Sequence, residues 1–351
     1  MVILGIETSC DETAIALLDI SDIEQVSVRA NVVSSQIALH SPYGGVVPAL
    51  AAREHVKNIG HVLQTALNEA GVSDFKKEID LIAVTRGPGL GPALMVGVSF
   101  AKALAWKHDK PLIGTDHMRG HIYSNWLSPD FKPAFPILNL VVSGGHTELV
   151  LMRDYETFEL IGETMDDAVG EAFDKVARLL DLGYPGGPAI SKLAPQGDAA
   201  RFPLPRPMVH SKDFNFSYSG LKTAVLYLIR DLKEKGIAID EQTKKDIAAS
   251  FQTAAMDVLV QKTIRAAREH GAKMILLSGG VSANAHLRAA LRAAAERESL
   301  AYGQPPMTYT TDNAAMIAMA GYAAHQYGNA PTDWETVDMD PNLGFEAAKT
   351  I

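Results

Sequence analysis

Apolar positions in the first third of the chain alternate between short runs and segments with helical spacing. The short runs, separated by polar turns, predict strands, and apolar residues three and four apart predict helices. The polar stretch between the first two runs predicts a hairpin. In chain order the predicted elements are strands 2–6, 13–18 and 25–34, helix 48–70, strand 79–85, helix 93–108 and strand 111–114.

The same order of elements returns in the second half. The pattern there predicts strands 137–142, 147–152 and 158–161, helix 168–182, helix 246–270, strand 274–277 and helices 284–297 and 311–327. Segment 183–243 breaks the repeat, is rich in proline and contains one predicted helix, 221–235. We interpret it as an insertion that carries function or contacts.

Two units with the same order of elements predict an α/β protein of two duplicated lobes. Two unrelated α/β domains would give a similar pattern, but both halves place a polar or glycine turn between their first two strands. Lobes of this kind leave a cleft between them, and both hairpin turns would point into that cleft.

Composition and charge narrow the class of protein. With 351 residues, 47% hydrophobic and 21% charged, the chain has the balance of a globular protein of about two domains. Its single cysteine, Cys10, excludes an intramolecular disulfide and a CxxC metal site. The net charge of −9 argues against a protein that grips nucleic acid over its whole surface, but allows a local basic patch or a basic partner.

The chain has neither a long uncharged apolar run nor the basic and apolar start of a signal peptide. We therefore expect a soluble cytoplasmic protein without membrane contact.

Two Ser-Gly-Gly turns are the strongest local signal. Segments 143–145 and 278–280 each follow an apolar strand, and the second leads into a helix near Asn284. Glycine lets a ligand approach the backbone and exposes N–H groups to an anion, and a helix N-terminus adds its dipole. The turns are either ligand-free tight turns or nucleotide-binding turns, and their presence in both halves favours phosphate contact.

A pair of histidines suggests a metal site. His117 and His121 are four residues apart, so on a helix both rings would lie on one face. Gly120 weakens the helix prediction, and two histidines without a metal are the alternative. Asp312 is a candidate third ligand, although an acid at a helix start also serves as a cap. The absence of HExxH excludes the usual zinc-protease geometry.

Acidic residues offer candidates for proton transfer. Asp11 and Glu12 lie in the first predicted hairpin turn, and further acids precede or occupy helix 168–182. Acids at such positions are commonly caps, so the pattern alone leaves both roles open.

Taken together, these motifs resemble the TsaD family (also named Gcp or YgjD) over essentially the whole chain. The matching segments are GIETSCDET at 5–13, YGGVVP at 43–48, GPGL at 87–90, HMRGH at 117–121, SGGHT at 143–147, GEAFDK at 170–175, YPGGP at 184–188, FSYSGLKT at 216–223, SGGV at 278–281 with Asn284, and TDN at 311–313.

The resemblance implies an actin-like fold shared with sugar kinases and Hsp70, with two RNase H-like lobes and an interlobe cleft. It predicts an N-terminal lobe at 1–115, completed by 325–351, and a C-terminal lobe at 116–324 with the insertion at about 183–243. It also implies one divalent metal, iron or zinc, held by His117, His121 and Asp312. The implied substrate contacts are Val141, Val142, Ser143, Gly144, Gly145, Asp174, Gly187 and Asn284.

One position departs from the archaeal and eukaryotic relatives. These have a tyrosine that reaches the metal just before Val-Ser-Gly-Gly, where this chain has Val141. The resemblance therefore implies a metal site without that ligand.

The implied activity is tRNA N6-adenosine threonylcarbamoyl transfer. The group would pass from L-threonylcarbamoyladenylate to the adenosine 3′ of the anticodon in tRNAs reading codons that begin with A, releasing AMP. Asp11 or Glu12 would orient or deprotonate the amine. The implied partners are a TsaB-like paralogue and a TsaE-like ATPase. The alternatives are an actin-fold ATPase or kinase, and a metallopeptidase, an older label for the family.

Overall fold

Alternating strands and helices build the chain, as the hydrophobic pattern predicts. The computed structural model describes residues 1–328 and 330–345. The strands in these ranges are β1 Val2–Glu7, β2 Glu12–Asp22, β3 Gln25–Ser35, β4 Leu81–Gly87, β5 Leu112–Asp116, β6 Ile137–Val142, β7 Thr147–Met152, β8 Phe158–Glu163, β9 Met274–Ser278 and β10 Ala301–Gly303.

The longer helices bury apolar side chains against a sheet or a second helix, whereas the two four-residue helices bury no apolar side chain. The helices are α1 Ile37–His40, α2 Pro48–Glu69, α3 Phe75–Glu78, α4 Gly91–His108, α5 His117–Tyr123, α6 Val169–Leu179, α7 Gly186–Leu193, α8 Ser219–Glu234, α9 Glu241–Glu269, α10 Ala285–Arg297 and α11 Ala314–Gln326. Within the described ranges, none of these helices is long and apolar enough to span a bilayer.

The chain divides into two units, each with its own sheet. The described residues of unit 1 are 1–133, 153–157, 305–328 and 330–345. Its sheet has the order β3-β2-β1-β4-β5, in which β1 pairs antiparallel with β2 and parallel with β4, and β4 pairs parallel with β5. The sheet side chains form an apolar core with residues of α2 and α4.

Unit 2 repeats this topology. Its described residues are 134–152 and 158–304, and its sheet has the order β8-β7-β6-β9-β10. Strand β6 pairs antiparallel with β7 and parallel with β9, which in turn pairs parallel with β10. Two five-stranded sheets with one strand order account for the repeated pattern in the sequence, and the fold is the α/β class predicted.

The division into units differs from the predicted lobe boundaries. Residues 116–133, 153–157 and 305–324, placed by the sequence in the C-terminal lobe, belong to unit 1. The reason is that α5 continues directly from β5, and α11 packs on β1, β2, β4 and β5. Residues 325–328 and 330–345 also lie in unit 1, whereas 329 and 346–351 are outside the described residues.

Candidate functional site

The carboxyl ends of three parallel strands form the floor of the candidate site in unit 1. Strands β1, β4 and β5 end at Glu7, Gly87 and Asp116. In open α/β sheets this edge is where ligands bind. The Asp116 carboxylate caps α5, accepting from the Met118 N–H at 2.7 Å and the Arg119 N–H at 3.1 Å. The cap starts the helix that carries the two histidines.

Gly120 supports the predicted helix by allowing close packing. A Cβ at this position would lie 2.8 Å from Ile317 Cδ1 and 3.3 Å from Met316 Cγ, both on α11. Only glycine lets α5 and α11 approach this closely without a shift. Asp312 lies just before Asn313, the N-cap of α11, so this contact brings Asp312 towards the histidines.

The three predicted metal ligands lie together in unit 1. The rings of His117 and His121 meet edge to face with their centroids 4.6 Å apart. Asp312 Oδ1 lies 3.5 Å from His117 Nε2 and 3.2 Å from His121 Nε2. One ligand atom from each residue falls within 4.8 Å of the others, which is the spacing of a single-ion site.

A buried carboxylate fixes the orientation of His117. Glu7 is fully buried, and its Oε2 lies 3.1 Å from His117 Nδ1. The same oxygen accepts from the Thr85 hydroxyl, and Oε1 accepts from the Ser9 N–H. With its Nδ1 proton committed to Glu7, the ring directs its Nε2 atom towards Asp312, an arrangement that metal-ligating histidines use widely.

The polar atoms of His121 indicate that a cation fits. His121 is fully buried, and within the described part of the chain neither of its ring nitrogens makes a hydrogen bond. An unsatisfied buried imidazole is costly unless a ligand satisfies it. Burial would lower the pKa of His117, but the Asp312 and Glu7 carboxylates raise it to about 9, so this site attracts positive charge. Two imidazoles and a carboxylate suit zinc or ferrous iron.

The two candidate catalytic acids lie beside this cluster. Asp11 ends the turn between β1 and β2, and Glu12 is the first residue of β2. Burial, followed by the charges of Asp312 and Asp11, raises the pKa of Glu12 to about 9. A cation next to Asp312 would offset that charge and favour the ionised form of Glu12.

In unit 2, the parallel pairing of β6 with β9 brings the two Ser-Gly-Gly turns side by side. Val141 pairs with Ser278, and the next residues, Val142 and Gly279, are in direct contact. Gly279 has φ +86°, and a Cβ there would lie 2.3 Å from the Val142 carbonyl oxygen. Val141 and Val142 are fully buried in the sheet, so they position the turn that follows them and offer no exposed atoms of their own.

The first Ser-Gly-Gly turn is a rigid hairpin. The Ser143 N–H donates to the His146 carbonyl at 2.9 Å, and the His146 N–H donates back to Ser143 Oγ at 3.1 Å. Gly144 and Gly145 are exposed, and a Cβ on either would meet open space. The turn thus presents accessible backbone of the kind that approaches a ligand closely.

Asp174 and Gly187 are also brought together. Asp174 Oδ1 accepts from the Gly186 N–H at 2.6 Å, and the Gly187 N–H donates to the same side chain. Burial raises the pKa of Asp174, and the two backbone donors partly offset this. In this structure Asp174 therefore holds the start of α7.

Asn284 joins three helices of unit 2. Its Oδ1 accepts from the Leu287 N–H and caps α10, while its Nδ2 donates to Ser191 Oγ on α7 and Gln252 Oε1 on α9. Each polar atom of its amide already has a partner, so the structure gives Asn284 a positioning role next to α7.

Glu7, Ser9 and Thr85 support His117 and were not predicted from the sequence as site residues. The signal was present in Glu7, an acid at the end of an apolar strand within the 5–13 motif. The loop beginning Gly87-Pro88-Gly89 also supports this region, because the Leu90 N–H donates to the Ser9 carbonyl at 2.8 Å.

Comparison with known proteins identifies the family. The family model described as TsaD, tRNA N6-adenosine threonylcarbamoyltransferase, matches residues 27–319. The chain belongs to the TsaD family.

Curated relatives with the same name match this chain over nearly their full length. A protein of Thermosipho africanus is 49% identical over 344 residues, covering 98% of this chain and 99% of its own length. A protein of Bacillus cereus is 50% identical over 347 residues, covering 99% of this chain and 97% of its own. Both are named tRNA N6-adenosine threonylcarbamoyltransferase. The chain is accordingly an acyltransferase of tRNA modification.

Two solved structures of another protein have a similar fold to this chain. A crystal structure of full-length HypF in the phosphate- and nucleotide-bound form matches with a TM-score of 0.60 and 14% identity, covering 93% of this chain. HypF of T. kodakarensis matches with a TM-score of 0.62. The chain spans about half the length of these two proteins, 47% and 48%, and the likeness concerns the fold alone.

Proposed function

We propose that this protein transfers the threonylcarbamoyl group from L-threonylcarbamoyladenylate to the N6 amine of the adenosine 3′ of the anticodon, in tRNAs reading codons that begin with A. The amine nitrogen forms the new bond to the carbamoyl carbon, and the bond from that carbon to the phosphate oxygen breaks. AMP leaves, and the amine loses one proton. The observation that carries the proposal is the His117–His121–Asp312 cluster beside Asp11 and Glu12 in a TsaD family chain.

We assign His117, His121 and Asp312 to one divalent cation, iron or zinc. When bound, the cation supplies polarisation of a carbonyl or orientation of the ligand. Glu7 holds the His117 ring in the orientation that leaves Nε2 available. The unsatisfied nitrogens of His121 support this assignment.

Asp11 and Glu12 are the proposed catalytic acids. An aromatic amine is a weak nucleophile, so a carboxylate that accepts its proton as the new bond forms lowers the barrier. The position of these acids in the same unit as the metal cluster supports the role.

The adenylate is assigned to the turns of unit 2. Exposed backbone at Gly144 and Gly145 supports contact with its phosphate, whose charge must be stabilised as AMP leaves. In this proposal Val141 and Val142 position the first turn, and Ser143 and Gly187 contribute backbone groups. Asp174 and Asn284 act there by holding α7, according to the contacts that they make.

The partners in this proposal are a TsaB-like paralogue and a TsaE-like ATPase, and the location is the cytoplasm. Exposed apolar side chains on two neighbouring helices of unit 1 support a protein partner: Val56 on α2, and Met95 and Trp106 on α4, are exposed by 65%, 53% and 71%. Such side chains are concentrated at protein interfaces.

The experiment is transfer of labelled threonylcarbamoyl to unmodified tRNA, with the adenylate supplied and both partners present. Asp11→Asn and Glu12→Gln should lower kcat by about 100-fold, within the range for loss of a general base, with adenylate affinity unchanged. Unchanged transfer in both variants would contradict the roles given to these acids. ATP turnover without transfer would instead favour an ATPase.

A further inference from the structure

A buried polar network contacts the turn that ends at Asp11, directly before Glu12. It contains His55 of α2 with Gln36 and His40 of the segment before it, each between 0% and 3% exposed. His55 Nε2 lies 3.0 Å from the Cys10 carbonyl oxygen, and His55 Nδ1 lies 2.7 Å from Thr13 Oγ1. Buried histidines with several hydrogen-bond partners fix the positions of the groups that they contact.

The partners fix which nitrogen of each ring carries the proton. A carbonyl oxygen can only accept, so His55 Nε2–H donates to Cys10, and its Nδ1 accepts from the Thr13 hydroxyl and, at 3.4 Å, from Gln36 Nε2. His40 Nε2–H donates to Gln36 Oε1 at 3.1 Å. Its Nδ1 accepts from the Val47 N–H at 3.3 Å. The His55 ring therefore carries its proton on Nε2.

The network holds two consecutive carbonyl groups of the turn. The Cys10 carbonyl accepts from His55, and the Asp11 carbonyl accepts from the Gln36 N–H at 2.9 Å. The adjacent Ser35 hydroxyl donates to Glu12 Oε1 at 3.0 Å. The backbone carbonyl groups on both sides of the Asp11 side chain are thus held by residues outside the turn. Of these residues, His55 is the most distant from Asp11 in the sequence.

We propose that His55 is a positioning residue for acyl transfer, which holds Asp11 and Glu12 in their reactive placement through the Cys10 carbonyl. The proposal rests on the proposed function for the role of these two acids. It also gives a structural role to the 43–48 segment, because the Val47 N–H sets the ring of His40, and His40 in turn orients Gln36. A small displacement of a catalytic group lowers a rate by about 100-fold, so His55 should influence kcat without touching substrate.

Two conservative variants separate the nitrogens of His55. The amide nitrogen of a glutamine reaches the place of Nε2 and can donate to Cys10, whereas an asparagine reaches only the place of Nδ1. His55→Gln should keep kcat within a few-fold of wild type. His55→Asn should lower kcat by about 100-fold with the KM values for adenylate and tRNA unchanged. The control is His61→Gln, because His61 lies exposed on the same helix.

Hydrogen exchange supplies a second readout that needs no activity. Amide exchange of residues 9–13 should be faster in His55→Asn than in wild type and close to wild type in His55→Gln. Metal content and melting temperature identify a variant that has merely unfolded. His55→Gln and His55→Asn have similar size and polarity, so a general packing defect would affect both.

The proposal is overturned if the two variants lose kcat equally, or if exchange at residues 9–13 does not change in His55→Asn. Failure of the proposed function has a different signature, in which wild type and His61→Gln both fail to transfer the group. In that case the exchange pattern still decides whether His55 positions the turn.

Discussion

The two ring nitrogens of His117 have separate partners, and this separation defines the candidate metal centre. Nδ1 lies 3.1 Å from Glu7 Oε2, and Nε2 faces Asp312 at 3.5 Å. Since Glu7 also accepts from Ser9 and Thr85, its position does not depend on a cation. The site is therefore oriented before a cation binds, which lowers the cost of binding.

Removing His121 should abolish stabilisation by the metal. A cation that binds the folded chain stabilises it by about 2.7 kcal/mol at a hundredfold excess over Kd, so zinc or ferrous iron should raise the melting temperature of wild type. His121→Ala should lose this rise together with bound metal, measured by thermal unfolding and elemental analysis.

The matched control for this metal test is His61→Ala, because His61 is exposed on α2. It should retain the metal-induced rise in full. An equal rise in His121→Ala would show that the cation binds elsewhere.

Lowering the pH should destabilise the chain in part through His55. Burial lowers the pKa of His55 below the usual histidine value, while Glu7 and Asp11 oppose this and His40 adds to it. The unfolded chain therefore binds a proton at higher pH than the folded chain. The contribution of His55 is complete above about pH 6.5 and is lost as the pH falls towards its lower folded pKa.

Urea unfolding of wild type and His55→Gln at neutral and mildly acidic pH measures this contribution. Wild type should lose more stability on acidification than the variant. Equal losses in the two proteins would remove His55 as a source of the pH dependence.

At the residue level the sequence predicted the members of the metal cluster but not their support. His117 and His121 were recognisable by their spacing, and Asp312 by its place at a predicted helix start and by the family resemblance. Glu7, Ser9 and Thr85 come from separate strands and turns, and only the pairing of β1 with β4 brings them together. No local sequence pattern indicates that these three residues lie close together in the fold.

At the scale of elements, packing decides where local propensity is ambiguous. Gly120 weakened the prediction of α5, yet this glycine is what allows α5 to contact α11. Helix α7 was not predicted because Gly186-Gly187-Pro188 is typical of a loop, and Asp174 holds its first turn. Strand β10 was missed because it is only three residues long.

Gly170→Ala should disturb the first Ser-Gly-Gly turn. Replacing a helical glycine by alanine normally stabilises a helix by up to about 1 kcal/mol. Here the new Cβ would lie 2.4 Å from the Ser143 carbonyl oxygen, and such overpacking costs about 1–3 kcal/mol. The clash therefore outweighs the gain in propensity.

We expect a lower melting temperature for Gly170→Ala and about tenfold weaker binding of a stable adenylate analogue by calorimetry, corresponding to about 1.4 kcal/mol. Gly60→Ala on α2 is the control, since a Cβ there meets nothing within 4 Å. Undiminished affinity in Gly170→Ala would argue against phosphate contact at this turn.

At the scale of the whole molecule, the repeated order of strands was predictable and the membership of the units was not. Both sheets share one strand order, as two duplicated units require, although the order within each sheet was not predicted. Helix α11 lies late in the sequence but packs on the first sheet, because its apolar residues fit β1 and β4. Sequence proximity assigned it to the second lobe, and long-range packing overrode that assignment.

The isolated chain should bind tRNA weakly. Its net charge is −9, and Lys57 and Lys222, two of the cations available to RNA, are paired with Glu54 and Asp167 at 2.9 Å. Filter binding should show an affinity that improves when the partner subunits are added and falls with salt. Tight, salt-insensitive binding by the chain alone would contradict this.

The central claim is tested most directly by threonylcarbamoyl transfer to unmodified tRNA, with the adenylate and both partners supplied, for wild type and His117→Ala. The account predicts transfer by wild type and its collapse in the variant, accompanied by loss of bound metal. Transfer that survives in His117→Ala would contradict the metal-centred mechanism, and no transfer by a metal-loaded wild type would contradict the proposed reaction.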